Sequence, residues 1–135
     1  MKKIRKFKLK SYSRFSGKLM PINFDKKFPI KVKRIFFING KKNKIRGEHA
    51  HKKCSQFFIP VSGSFEITLN FKNKKKIYKL NVKKNIGLFV PPIIWCKVRF
   101  LAKKSAILVL ASHKYEFNDY IETYKEFTKY EERLK

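Results

Sequence analysis

Two of the chain's three histidines stand two residues apart, as His49-Ala50-His51. In a β-strand, residues i and i+2 project from one face, about 6.6 Å apart along the chain, so a strand here would aim both imidazoles into one cavity. Imidazole takes and gives protons near neutral pH, and a neighbouring pair suits a reaction in which protons leave one atom and arrive at another. Surface decoration is the bland alternative for such a pair, and the flanks weigh against it. Arg46 precedes His49 at the mouth of the same strand, where a guanidinium can clamp a diphosphate in bidentate fashion. Gln56 follows the pair, and Gly63 comes seven residues after it. Farther along, Trp95 and Cys96 lie where they could edge a substrate pocket, and Arg34 offers a second cation for phosphate or a partner subunit. His113, after the last strand, reads as structural.

The same side chains admit a metal reading. His49, His51 and Cys96 supply two imidazoles and a thiol, a set that zinc accepts, and a metal-dependent enzyme is therefore a competing expectation. Gln56 is a neutral amide and a poor ligand, and a catalytic ion needs at least three good donors held by orienting partners. Acid–base work by the imidazoles without a metal is the favoured expectation.

These groups need a scaffold, and the sequence predicts a mostly β one. Period-two alternation predicts strands over 30–38, 54–61, 64–71, 77–82, 86–90, 94–100 and 105–111, with turns at Asn39-Gly40, Ser62-Gly63 and the lysine-rich 72–76. Strands this short and regularly spaced imply a sandwich or small barrel. From Asp119 the pattern turns helical: Tyr120, Ile121, Tyr124, Phe127 and Tyr130 recur at three- and four-residue intervals. Asp119 is the expected N-cap, with Glu122 completing a capping box. The aromatic stripe is expected to pack that helix onto the barrel.

The 135 residues predict one domain, spanning 1–135, with no linker or repeat to divide it. Hydrophobic residues at 43% exclude intrinsic disorder despite a formal net charge of +26. That charge would ordinarily suggest nucleic acid, yet only six of the 35 basic residues are Arg, and base reading favours Arg. Lys, Ile, Phe and Asn supply 65 residues and Ala four, so a coding bias that fills solvent positions with Lys explains the charge. Nucleic acid is accordingly not the expected partner, although a basic surface still steers phosphates toward the protein. No apolar run is long enough to span a membrane, and no apolar segment follows the basic start as a secretory signal requires. Two cysteines, too few for a disulfide framework, point to the reducing cytoplasm.

Arg46-Gly47-Glu48-His49-Ala50-His51, with Gln56 and Gly63 beyond it, resembles the first cupin motif, in which Gln56 stands where Glu is usual. Gly87 with Pro91-Pro92-Ile93-Ile94-Trp95-Cys96 resembles the second motif loosely, and Cys96 falls where a third metal histidine would stand. A narrower likeness rests on R-G-x-H-A-H-K at 46–52, Gln56, Gly63-Ser64, Gly87-Leu88, Pro91 with Trp95, the strand end at 109–112, Tyr115, and Asp119-Tyr120-Ile121 with Tyr124 and Phe127. From about Ile30 to Phe127 the chain resembles the FdtA/WxcM-like sugar 3,4-ketoisomerases. That resemblance implies an all-β cupin barrel (a double-stranded β-helix, or jelly roll) with a short C-terminal helix, commonly homodimeric. It also implies action on dTDP-4-keto-6-deoxyglucose without a cofactor, yielding a 3-keto sugar for an aminotransferase. Moving a ketone from C4 to C3 through an enediol fits the paired imidazoles, with His49 the first choice for the carbon base. A non-catalytic cupin that binds nucleotide sugar or nucleic acid is the alternative. The family often has adjacent tyrosines where this chain has Phe36-Phe37.

Overall fold

The computed structural model describes residues 2–135. In it the alternating segments become twelve strands and one helix. The strands are β1 (Arg5–Lys8), β2 (Tyr12–Arg14), β3 (Gly17–Leu19), β4 (Arg34–Gly40), β5 (Ile45–His51) and β6 (Gln56–Ser62). They continue with β7 (Ser64–Phe71), β8 (Lys74–Asn81), β9 (Ile86–Val90), β10 (Trp95–Phe100) and β11 (Ser105–Ala111). A 3₁₀ turn at Phe117–Asp119 leads into β12 (Tyr120–Ile121) and helix α1 (Tyr124–Arg133). One antiparallel sheet runs β1-β9-β6-β11-β4 and a second runs β12-β5-β10-β7-β8. Crossovers of this kind join two facing sheets into the jelly roll of the cupins.

Alternation dictates what lies between the sheets. Phe65, Ile67 and Leu69 of β7, Val98 and Phe100 of β10, and Ile107 and Val109 of β11 form one buried cluster with Phe58 and Leu88. Side chains of this size contribute about 1.5–3 kcal/mol each when fully buried, so this inner layer dominates the stability. The outer face of the first sheet is covered by the chain before β4: Ile30 packs with Phe57, Ile59, Phe89 and Leu110, joined by Phe7, Ile22, Phe28 and Val32. The second sheet is covered by α1, through Ala50, Trp95, Ile121 and Phe127.

Two of the expected boundaries move furthest. The strand expected from Ile30 begins at Arg34, because Ile30 and Val32 cover the outside of the first sheet whereas Phe36 and Ile38 pack inside it. The chain crosses from one layer to the other between Val32 and Arg34. The helix expected from Asp119 begins at Tyr124, and its N-cap is Thr123, whose Oγ1 accepts from Glu126 N–H at 3.2 Å. Tyr120 and Ile121 instead extend as β12 and pair with His51 and Ala50 of β5. No helix among the described residues is long and apolar enough to cross a membrane.

Candidate active site

Strand β5 carries both imidazoles, and its shape depends on one glycine. Cys96 of β10 stands opposite His49 but Val98 stands opposite Arg46, so Gly47 and Glu48 together oppose one residue of β10. This is a β-bulge. Gly47 sits in it at φ +69°, a conformation in which a side chain is strained. A Cβ on Gly47 would lie 3.7 Å from Cε1 and 4.0 Å from Nδ1 of His49, so that edge of the ring faces the bulge. Gly47, Arg46, His49, Tyr120, Phe36 and Phe37 line a pocket of about 720 Å³. It opens between β4, the end strand of its sheet, and the part of β5 that β12 leaves unpaired.

The imidazoles meet edge to face, with Nε2 of His49 3.1 Å from Nε2 of His51 and the rings 84° apart. Behind them Asp119 Oδ2 lies 2.9 Å from His51 Nδ1. Backbone N–H groups hold that carboxylate, Lys53 donating to Oδ1 at 2.6 Å and Cys54 to Oδ2 at 3.4 Å. The strand is pinned from the other side by Ile93 N–H, which donates to the His51 carbonyl at 2.7 Å. Ile93 does so from φ +63°, a costly conformation for a β-branched residue that recurs at functional sites.

Burial sets the charge states. Desolvation, with the fields of His51 and Arg34, lowers the His49 pKa from 6.5 to about 4. His51 is lowered too, its desolvation outweighing the hydrogen bond and charge of Asp119. Desolvation pushes Asp119 up, but the hydrogen bonds from His51, Lys53 and Cys54 and the charge of His51 together hold it below the usual carboxylate value. At neutral pH the carboxylate is therefore ionised and both imidazoles are neutral. A carboxylate only accepts, so His51 Nδ1 carries a hydrogen and its Nε2 is a lone pair. His49 must then donate from Nε2, and the network leaves His49 Nδ1 as the free basic nitrogen, on the edge beside Gly47 and the pocket.

The other expected site residues divide. Arg46 is exposed on the pocket rim. Gln56 shares the inward face of β6 with Phe58 and is buried. Arg34 faces inward from β4; its Nη2 donates to the Tyr120 hydroxyl at 3.4 Å, and its buried Nε has no partner among the described residues. Cys96 faces inward opposite His49, and complete burial among apolar side chains pushes its thiol up to about 12. Trp95 departs from expectation. As the neighbour of Cys96 in a strand it points to the opposite face, where its indole packs against Tyr124 and Phe127 of α1, away from the imidazoles.

The group of donors that could hold an ion also differs from the expected His49, His51 and Cys96. It is His51, Cys54 and Asp119, whose ligand atoms lie within 4.8 Å of one another. Those atoms are already engaged: the carboxylate with His51 and two backbone N–H groups, the thiol with the Ser55 carbonyl at 3.4 Å. Of the other two, Asp119 is the one that contacts the His51 side chain, and its hydrogen bond fixes the ring.

Two residues of the site escaped the sequence reading, Asp119 as an expected helix cap and Tyr120 as part of a helical stripe. Tyr120 lies over both imidazoles, its ring centre 4.4 Å from that of His51 and 5.1 Å from that of His49. Their adjacency in the Asp119-Tyr120-Ile121 motif was the only signal.

A cupin whose barrel mouth holds paired imidazoles backed by a carboxylate has the groups that acid–base chemistry needs, and comparison with known proteins narrows its class. A family model described as FdtA, WxcM-like, C-terminal, matches residues 2–132. The chain belongs to this family. It is 34% identical over 115 residues to the TDP-4-oxo-6-deoxy-alpha-D-glucose-3,4-oxoisomerase of Aneurinibacillus thermoaerophilus, covering 84% of this chain and 82% of that protein. The crystal structure of QdtA, a sugar 3,4-ketoisomerase from Thermoanaerobacterium thermosaccharolyticum in complex with TDP, superposes with a TM-score of 0.89 at 31% identity over 97% of this chain and 96% of that one. A variant of that enzyme is described in complex with TDP-4-keto-6-deoxyglucose. A 3,4-ketoisomerase from Helicobacter canadensis gives a TM-score of 0.88 at 35% identity, with 96% of this chain and 97% of that one covered.

Proposed function

We propose that this protein is a sugar-nucleotide 3,4-ketoisomerase that moves the ketone of dTDP-4-keto-6-deoxyglucose from C4 to C3 through an enediol, without a metal. The observation that carries the reading is the row Asp119–His51–His49, joined at 2.9 and 3.1 Å and ending at a pocket wall. A neighbouring carbonyl acidifies the C3 proton. His49 Nδ1 takes it, and the charge spreads to His51 and is balanced by Asp119. The same imidazolium returns a proton to C4. Desolvation keeps His49 neutral and ready to accept at neutral pH. Arg46, on the rim, holds the diphosphate, and the basic surface steers the anion inward. Family membership and the activities of the relatives support this substrate class. One domain, acting as a homodimer in the cytoplasm, completes the reading.

Incubation with dTDP-4-keto-6-deoxyglucose in D2O, followed by NMR, tests it. A C3 ketone with deuterium at C4 in the product, and deuterium at C3 in recovered substrate, are expected, and absence of exchange with folded protein would sink the proposal. His49→Asn should lower turnover by about 10²–10⁴ and leave the fold intact.

A further inference from the structure

The imidazole row supplies a base for carbon, but an enediol also requires proton transfer at two oxygens. His51 is poorly placed for that, being 4% exposed with both ring nitrogens engaged. Cys96 is buried in the apolar core with its thiol held protonated. Tyr120 is different. Its ring lies over both imidazoles and lines the pocket, and its hydroxyl meets Arg34. A guanidinium has donors only, so the phenol oxygen must accept in that contact. The phenol hydrogen is therefore free to turn toward the pocket, and the adjacent cation stabilises negative charge on the oxygen as that hydrogen leaves. The unpartnered, buried Nε of Arg34 marks a donor built into this corner beyond what the fold uses.

We propose that Tyr120 is the acid–base residue for the sugar oxygens and that Arg34 positions and polarises it. This rests on the isomerase reading and assigns the oxygen half of the same reaction. In the first step His49 takes the C3 proton, the C–H electron pair becomes the C3=C4 bond, and the carbonyl pair moves to O4. The Tyr120 hydroxyl delivers its proton to O4. In the second step the phenolate takes the O3 proton and that pair becomes the C3=O bond. The double-bond pair then collects the imidazolium proton at C4. Both residues return to their starting states, and no oxidant or reductant is consumed.

Tyr120→Phe keeps the ring against the imidazoles and removes only the hydroxyl. It should lower both kcat and deuterium exchange at C3 by about 10²–10³, the usual effect of losing one donor to a developing oxyanion, while dTDP binds as in the parent. Arg34→Lys should retain more turnover than Arg34→Gln, and neither should weaken dTDP binding, because Arg34 acts through Tyr120. An active parent with Tyr120→Phe at near-parent kcat would overturn this assignment alone. So would a raised KM with unchanged kcat, or dTDP affinity lost with Arg34. A parent protein with no exchange at C3 would overturn this assignment together with the isomerase reading.

Discussion

Asp119→Asn isolates the tautomer reasoning, because it keeps shape and removes charge. The carbonyl of the new amide would face Lys53 N–H, which approaches Oδ1 at 2.6 Å, and its NH2 would then face His51 Nδ1, 2.9 Å from the replaced oxygen. An amide donor facing Nδ1 demands a lone pair there, so the His51 hydrogen moves to Nε2. His49 Nε2 must then accept, its hydrogen moves to Nδ1, and the pocket-facing nitrogen can no longer take a proton. Recovering the productive tautomer forfeits the new amide bond and leaves two buried donors, the amide N–H and His51 Nδ1–H, facing each other unpaired. At about 1 kcal/mol for the first and about 2 for the second, the penalty is about 3 kcal/mol, or roughly 10² in rate. Losing the charge that balances the imidazolium adds to this, so kcat should fall by about 10²–10⁴ with dTDP affinity retained. Asp119→Ala imposes no tautomer on His51. It should be the less stable protein, with Lys53 and Cys54 N–H left unpaired, yet the more active one. Turnover by NMR, dTDP binding by calorimetry and urea denaturation on both variants decide the matter. If activity tracks stability, or if Asp119→Asn works nearly normally, Asp119 is structural and the proton order assigned to the site is wrong.

Stability should fall between about pH 6.5 and about pH 4, because the unfolded chain takes up a proton on His49 that the folded chain refuses. A pKa of about 4 in place of 6.5 amounts to about 3 kcal/mol at the acid end, and urea melts should show His49→Asn flattening this slope. An unchanged slope would place the imidazole in solvent. Arg46→Ala should mainly raise KM, since it removes binding common to ground and transition states; a fall confined to kcat would assign Arg46 to the chemistry. Cys96→His should change the configuration of the product at C4 more than it changes dTDP affinity, because the new side chain enters the barrel opposite His49. It should also cost about 1–3 kcal/mol by overpacking, and a loss of stability with no change in NMR-determined configuration would remove Cys96 from stereochemical control.

Pleat geometry alone determined that His49 and His51 share a face, because two residues along any strand return the side chain to the same side. Alternation likewise marked Phe65, Ile67 and Leu69 as one inward row, and β7, β9 and β11 have the bounds that their patterns predict. The 119–121 segment shows where such local information stops. Tyr120 and Ile121 fit the spacing of a helical stripe, but the unpaired edge of β5 offers hydrogen bonds that hold them extended, which only strand pairing can decide. That pairing brings a carboxylate from 68 residues away onto His51, a contact that no spacing rule encodes. The bulge at Gly47 is a mismatch between β5 and β10 and so belongs to neither strand by itself. Trp95 and Cys96 were bound to point to opposite faces, yet which of them entered the barrel was settled by α1, which packed its aromatic residues over the indole. The low pKa of His49 has the same origin: desolvation is a property of the surroundings, and those exist only once the chain is folded.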